Sequence, residues 1–248
     1  MKNLLLLVLL ISETFWAQSA FDKGNQYYQK ENYQAAVSSF ENILNSGKQS
    51  AELYFNIGNC YYKLHKVAPA IFNYEKALLL RPNDVEIKTN LEFARKMAID
   101  DIKVIPKVGF NKIILAFTSK YHYNTWAWIA VVFAGLSLLF FIGFYFSRAA
   151  FLKRAFFIGM FLSIILICLS TASGFYEKMR IDNEKPAIIF AETTPLKSEP
   201  KSGGQDAVLL HEGTKVFILG SIANWKKIEL TDETIGWIEE SAIKEIKN

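Results

Sequence analysis

Two uncharged runs constrain this chain more than any other feature: Trp126 to Phe146 and Ala155 to Phe175, each 21 residues long. About 20 apolar residues in a helix cross the roughly 30 Å of hydrocarbon in a bilayer. Each run therefore predicts a transmembrane helix, 126–146 and 155–175, and an aromatic content of 15% fits a membrane protein. Tyr121, Tyr123, Trp126 and Trp128 cluster at the entry to the first run, where amphipathic rings sit at headgroup level. Neither run contains Asp, Glu, Lys, Arg or His, which argues against a transporter or an intramembrane protease. Gly135, Ser137 and Gly143, with Gly159, Ser163 and Ser170, are small enough to let the two helices pack closely.

Between the runs, 147–154 reads as a tight turn carrying Arg148, Lys153 and Arg154. Positive charge there favours a cytoplasmic turn, but Lys112, Lys120, Lys178, Arg180 and Lys185 flank the other ends, so charge alone is equivocal. The first residues decide the orientation. Lys2, the apolar stretch Leu4 to Ile11, and Ala17-Gln18-Ser19 have the layout of a cleaved signal peptide, 1–19. A signal peptide followed by an even number of spans puts both soluble segments outside the cytoplasm, in the periplasm of a bacterial inner-membrane protein. In the stretch 100–125, Phe110, Ile113, Ile114 and Phe117 recur at helical spacing among polar residues, as in a helix lying in the bilayer surface.

Shifting the chain by 34 residues superimposes Phe21 on Phe55, Gly24 on Gly58, Asn25 on Asn59, Tyr27 on Tyr61, Tyr28 on Tyr62, Ala36 on Ala70, Glu41 on Glu75 and Leu44 on Leu78. This period resembles the tetratricopeptide repeat, whose pattern the second copy follows as Tyr54-x2-Ile57-Gly58-x2-Tyr61, then Ala70-x3-Tyr74, then Pro82. The first copy is weaker: Lys23 stands where an apolar residue is usual, and Lys48 where the closing proline belongs. The resemblance implies an all-α domain over 20–99, with repeats at 17–50 and 51–84. Asn83 and Asp84 then cap a helix, 85–99, that covers the last hairpin.

In the first helix of each repeat, Phe21, Asn25 and Tyr28 fall on one face, and Phe55, Asn59 and Tyr62 repeat it, with Asn56 and Lys63 alongside. In tetratricopeptide proteins this face lines a concave peptide groove. Two readings stand: a groove for an extended partner, or aromatic and amide packing between copies.

After the second run the pattern shifts to short strand-like pieces: Pro186 to Glu192, Ala207 to Leu210, Lys215 to Leu219, Trp225 to Leu230 and Ile235 to Ile238. Thr193 to Asp206, with Pro195, Pro200 and Gly203-Gly204, reads as a long irregular loop. Leu210-His211-Glu212-Gly213-Thr214-Lys215-Val216, Asn224-Trp225-Lys226-Lys227-Ile228 and Gly236-Trp237-Ile238 resemble the bacterial SH3-like domain, which implies a small all-β barrel at 185–248. Trp225 and Trp237 are either an aromatic shelf for a ligand or aromatics of the barrel core and rim.

The fold class is thus a multidomain membrane protein: an all-α tetratricopeptide-repeat domain, a two-helix transmembrane hairpin and a small SH3-like barrel. This order is similar to BatE-type proteins of the Bacteroides aerotolerance operon. That resemblance implies membrane partners with von Willebrand A-type domains and a part in envelope stress tolerance, with no catalytic residue to carry over.

No cofactor, metal site or catalytic centre is expected. His65, His122 and His211 lack metal-ligand spacing, Cys60 has no base near it in sequence, and no phosphate-binding glycine loop is present. Lysines are interspersed with acids at a net charge of +4, which gives no nucleic-acid footprint. Two functions from different classes remain: a protein-protein interaction scaffold acting through the repeats, and a cell-wall anchor whose barrel grips peptidoglycan.

Overall fold

A computed structural model describes residues 20–103, 109–201, 203 and 206–247. The signal peptide expected at 1–19 lies outside the described residues. The chain forms two compact units, one of Met1–Ile105 with Lys185–Asn248, the other of Pro106–Glu184.

The first unit opens with helical hairpins: α1 (20–29), α2 (Tyr33–Asn45), α3 (Ala51–Lys63), α4 (Val67–Leu80) and α5 (Val85–Arg95). Asn32, Ser50 and Asp84 start α2, α3 and α5 by accepting bonds from free N–H groups of the first turn. The two hairpin turns share one device. Glu31 and His65, 34 positions apart, take left-handed backbone angles of φ 59° and 56°, and the amides of Asn32 and Lys66 reach back to the carbonyls of Tyr27 and Tyr61.

Packing repeats with the same period. A methyl group on Gly24 would strike the ring of Phe40, and one on Gly58 would meet Tyr74 at 2.7 Å, so hydrogen is the only side chain that lets each hairpin close. The Asn56 amide donates to Asn25 at 3.3 Å, and 34 residues on Asn90 donates to Asn59 at 2.9 Å. Glu41 accepts from the Tyr61 hydroxyl at 2.7 Å, and one period later Glu75 accepts from Arg95 at 2.8 Å. By these contacts α5, within the stretch expected as a cap, takes the place of the first helix of a third hairpin.

A β-domain packs against α4 and α5 through Ile188 and Ile246. Its strands are β1 (Pro186–Ile189), β2 (Thr193–Lys197), β3 (Asp206–His211), β4 (Lys215–Ile222), β5 (Trp225–Glu229), β6 (Ile235–Glu239) and β7 (Ile243–Glu245), with a 3-10 turn at Glu240–Ala242. They form one antiparallel sheet in the order β3-β2-β6-β5-β4-β1-β7. Ala187, Ile189, Leu196, Leu210, Val216, Ile228 and Ile238, from six strands, share one core. No pairing among the described residues joins β3 to β7, so the expected barrel is an open, coiled sheet.

Two strands depart from the sequence reading. β2 replaces the front of the expected irregular loop. Its pairing with β6 is confined to Lys197 opposite Trp237, so most of its length has one neighbour, the edge condition that tolerates Pro195. β7 is too short for its alternation to show.

Strand β1 is buried on both faces. Ala187 and Ile189 point into the β core, while Ile188, with Ile246, packs among Ile71, Ala77, Ile87 and Leu91 of the helices. Period-two alternation thus welds the two domains through one strand. Gly213 fits the seam doubly: its φ is +88°, and a Cβ there would meet Val67 at 2.8 Å.

The second unit comprises α6 (Phe110–Thr118), α7 (Tyr123–Phe146) and α8 (Ala150–Asn183). Both α7 and α8 are long and apolar enough to cross a membrane. α8 begins earlier than expected, so only residues 147–149 join the helices, and Lys153 and Arg154 belong to the start of α8. A Cβ on Gly143 would meet the Phe156 ring at 2.9 Å and one on Gly159 the Phe140 ring at 3.1 Å, so both glycines let the helices approach, while Ser163 and Ser170 are buried. A Cβ on Gly135 would meet nothing within 4 Å, so this glycine does not serve the contact. Trp126, beside Phe117 and Tyr121, donates its indole N–H to the Thr118 carbonyl at 2.9 Å and ties α6 to the start of α7.

Candidate functional site

The face shared by α1, α3 and α5 is an asparagine ladder flanked by aromatic rings. Phe21 stacks on Phe40 at 5.4 Å and Phe55 on Tyr74 at 5.9 Å, so both rings are half-buried inside their own hairpins. Tyr28 packs edge-on to Tyr33 at 5.2 Å, and Tyr62 lies half-buried against the core of the second repeat. Lys63 is exposed. Asn59 differs from Asn25 because Phe40 of the first copy becomes Tyr74 in the second. The Tyr74 hydroxyl donates to Asn59 Oδ1 at 2.7 Å, alongside Asn90. The Asn59 oxygen is thus committed to holding α3, α4 and α5 together.

Burial inside this region also explains its chemistry. The Cys60 thiol, fully shielded from solvent, is pushed up to about 12, so it stays protonated and is no nucleophile near neutrality. Burial raises Tyr28 as well, helped by Cys60 and Tyr33. No group of three or more His, Cys, Asp or Glu side chains among the described residues could hold a metal ion.

Trp225 and Trp237 both lie outside the β core. Trp225 is opposite Glu239 and Trp237 opposite Lys227, which makes the indoles diagonal neighbours on one face of β5 and β6, while Ile228 and Ile238 turn inward. Both are half-buried. Trp225, Thr193, Pro195, Lys197, Glu239 and Ser241 line an open cavity of about 250 Å³.

A third cluster escaped the sequence reading. Glu75, buried, bridges Arg95 at 2.8 Å and Lys215 of β4 at 2.8 Å. Burial pushes its carboxyl upward, but the Lys215 ammonium and then the Arg95 guanidinium outweigh that and hold it below the usual value. Nearby, Asp100 accepts from the Thr214 hydroxyl at 2.6 Å and from the His211 backbone at 2.7 Å, with His211 Nδ1 also at 2.7 Å. These bonds overcome the upward push of burial and lower its carboxyl too. His211 is half-buried in this seam. Apart from Glu75 and Arg95, 20 positions apart, the partners lie more than 100 residues apart in sequence, so the signal available was the repetition of Glu41 at Glu75, without any hint of its second cation.

Comparison with known proteins bears on the helical part. Residues 51–84 match the family model of the tetratricopeptide repeat. The chain is also similar to sperm-associated antigen 1 of Rattus norvegicus, 30% identical over 79 residues, which is 32% of this chain and 9% of that protein. The chain thus spans a small fraction of the curated relative it matches. A tetratricopeptide repeat is a protein-interaction module, and a protein-protein interaction role follows for this domain.

Proposed function

We propose that the chain is a membrane-anchored scaffold that binds other proteins through its repeats on the periplasmic face of a bacterial inner membrane. One observation carries the reading. The segments before and after the apolar hairpin, 20–103 and 185–247, share a hydrophobic core through Ile188 and Ile246. If α7 and α8 cross the bilayer, both segments must then lie on one side of it, which agrees with a signal peptide followed by two spans. The exposed residues Ile113 and Phe117 of α6 suit a helix lying in the bilayer surface.

The groove face offers Tyr62, Lys63, Tyr28 and the Asn25–Asn56 pair to an extended segment. The resemblance to BatE-type proteins implies partners of one kind: membrane proteins with von Willebrand A-type domains, in an envelope-stress complex. The β-domain reads as an SH3-like module with an open seam.

The test is topological and then functional. Protease added to spheroplasts should cleave a tag inserted at Gly47 and a tag at Asn248 alike; protection of either overturns the orientation. Crosslinked recovery of membrane partners should fall on Lys63→Glu with Tyr62→Ala, and unchanged recovery would assign the face to packing.

A second reading has its own support. Both tryptophans stand outside the β core, as a ligand shelf requires, which favours peptidoglycan as a further ligand. Whole protein in detergent should then sediment with purified cell wall and lose that property with Trp225→Ala and Trp237→Ala; a scaffold alone stays in the supernatant.

A further inference from the structure

On the side of α4 away from the groove, Leu44, Tyr54, Phe72, Lys76, Phe190 and Lys244 line a recess of about 340 Å³ at the seam between the helices and β7. Its floor is aromatic. Phe72 and Phe190 meet edge to face, with centroids 5.6 Å apart. Two ammonium groups converge on that floor: Lys244 Nζ lies 4.7 Å from the Phe72 centroid and 5.5 Å from Phe190, and Lys76 Nζ lies 5.6 Å from Phe72.

The surrounding cations of the seam, Arg95, Lys215 and Lys226, each have a carboxylate partner. Among the described residues, Lys76 and Lys244 have none. The two carboxylates of the lining are engaged: Glu41 by the Tyr61 hydroxyl at 2.7 Å, Glu245 by Lys226 at 3.2 Å. Ring faces attract the two ammonium groups but leave their mutual repulsion in place. Burial, and after it Lys244, accordingly lowers Lys76. An anion between them would relieve that repulsion.

We propose that this recess is a carboxylate site for a short acidic peptide in extended conformation. The carboxylate sits between Lys76 and Lys244, and a neighbouring apolar side chain rests on Phe72 and Phe190. A peptide suits it better than a small acid because the aromatic floor adds apolar contact. Lys244 is also the middle residue of β7, the last strand of the sheet, whose outer edge has no strand partner among the described residues. An extended chain laid along such an edge brings alternate side chains to it.

The site is distinct from the repeat groove and stands or falls separately. Calorimetric titration of the full chain in detergent micelles should use three probes: capped Val-Glu-Phe-Glu-Val, its Gln counterpart, and glutarate. The acidic peptide should bind, more weakly at high salt, and the Gln peptide should not. Replacing both lysines, Lys76→Met with Lys244→Met, should weaken binding about tenfold, Lys76→Arg with Lys244→Arg should retain it, and Lys63→Glu should leave it unchanged. Lys244→Met alone, at an exposed side chain, covers the case in which the double variant fails to fold. Glutarate binding as tight as the peptide's would assign the carboxylate to a small acid. Equal binding of the Gln peptide, or full binding after loss of the lysines, overturns the site.

Discussion

Asn59 and Glu75 show how two polar side chains acquire structural duties that their neighbours in the repeat lack. Asn59 Oδ1 accepts two bonds because Tyr74 supplies a hydroxyl where the first copy has Phe40. Tyr74→Phe should therefore cost about 1 kcal/mol in chemical denaturation, and a loss indistinguishable from zero would show that the amide finds equal partners without it. Glu75 matters more, since Arg95 and Lys215 both converge on a buried carboxylate. Glu75→Ala leaves Lys215 without a counter-charge and Arg95 with Glu92 alone, and should cost about 1.5–3 kcal/mol. The pH dependence has a defined sign. Glu75 and Asp100 are both held below their ordinary values of 4.5 and 3.8. Their contribution is complete above those values and is lost as pH falls through the lower, folded-state ones. Melting temperature should therefore drop steeply below about pH 4, and this acid slope should flatten in Glu75→Gln with Asp100→Asn; an unchanged slope would refute the assignment.

At the scale of elements, what the sequence disclosed depended on how often a signal was repeated. The hairpins were legible because eight identities recur at one period, and each answers a need that a single residue type meets: glycine under a ring at Gly24 and Gly58, alanine between helices at Ala36 and Ala70. Gly58→Ala tests this directly. The methyl would lie 2.7 Å from Tyr74, and overpacking of that kind costs about 1–3 kcal/mol, whereas Gly135→Ala, with nothing within 4 Å, should leave the fold of its helix untouched. The apolar helices were legible from length and composition, but their junction was not, because Lys153 and Arg154 are good helix formers and extend α8 backward. β2 was hidden by Pro195 and β7 by its three residues. The candidate site was half legible: periodicity identified the face of Asn25, Asn56 and Asn59, and the tryptophans were named, yet neither their outward orientation nor the seam of Glu75, Asp100, His211 and Lys215 could be read from partners 111 to 140 positions apart.

At the scale of the whole molecule, the β-domain is not an independent module, although its sequence motifs resemble one. Ile188 and Ile246 are fully buried in the helical cluster, and Lys215 is paired to a helix. Excised as 185–248, the domain would expose both isoleucines, each worth about 2 kcal/mol of burial, and would strand Lys215 without Glu75. That fragment should be unfolded or aggregated by circular dichroism and amide dispersion. The complementary experiment removes the second unit instead. Joining 20–103 to 185–248 through a flexible linker of about 20 residues, long enough at roughly 5–6 Å per root residue to span some 25 Å, should give a soluble monomer in which helix and sheet signals melt together. One cooperative transition is expected because a shared core cannot lose one half and keep the other. Two separate transitions, or an independently folded 185–248, would mean that the seam is a contact between finished domains, and the inference that both segments occupy one side of a bilayer would lose its physical basis.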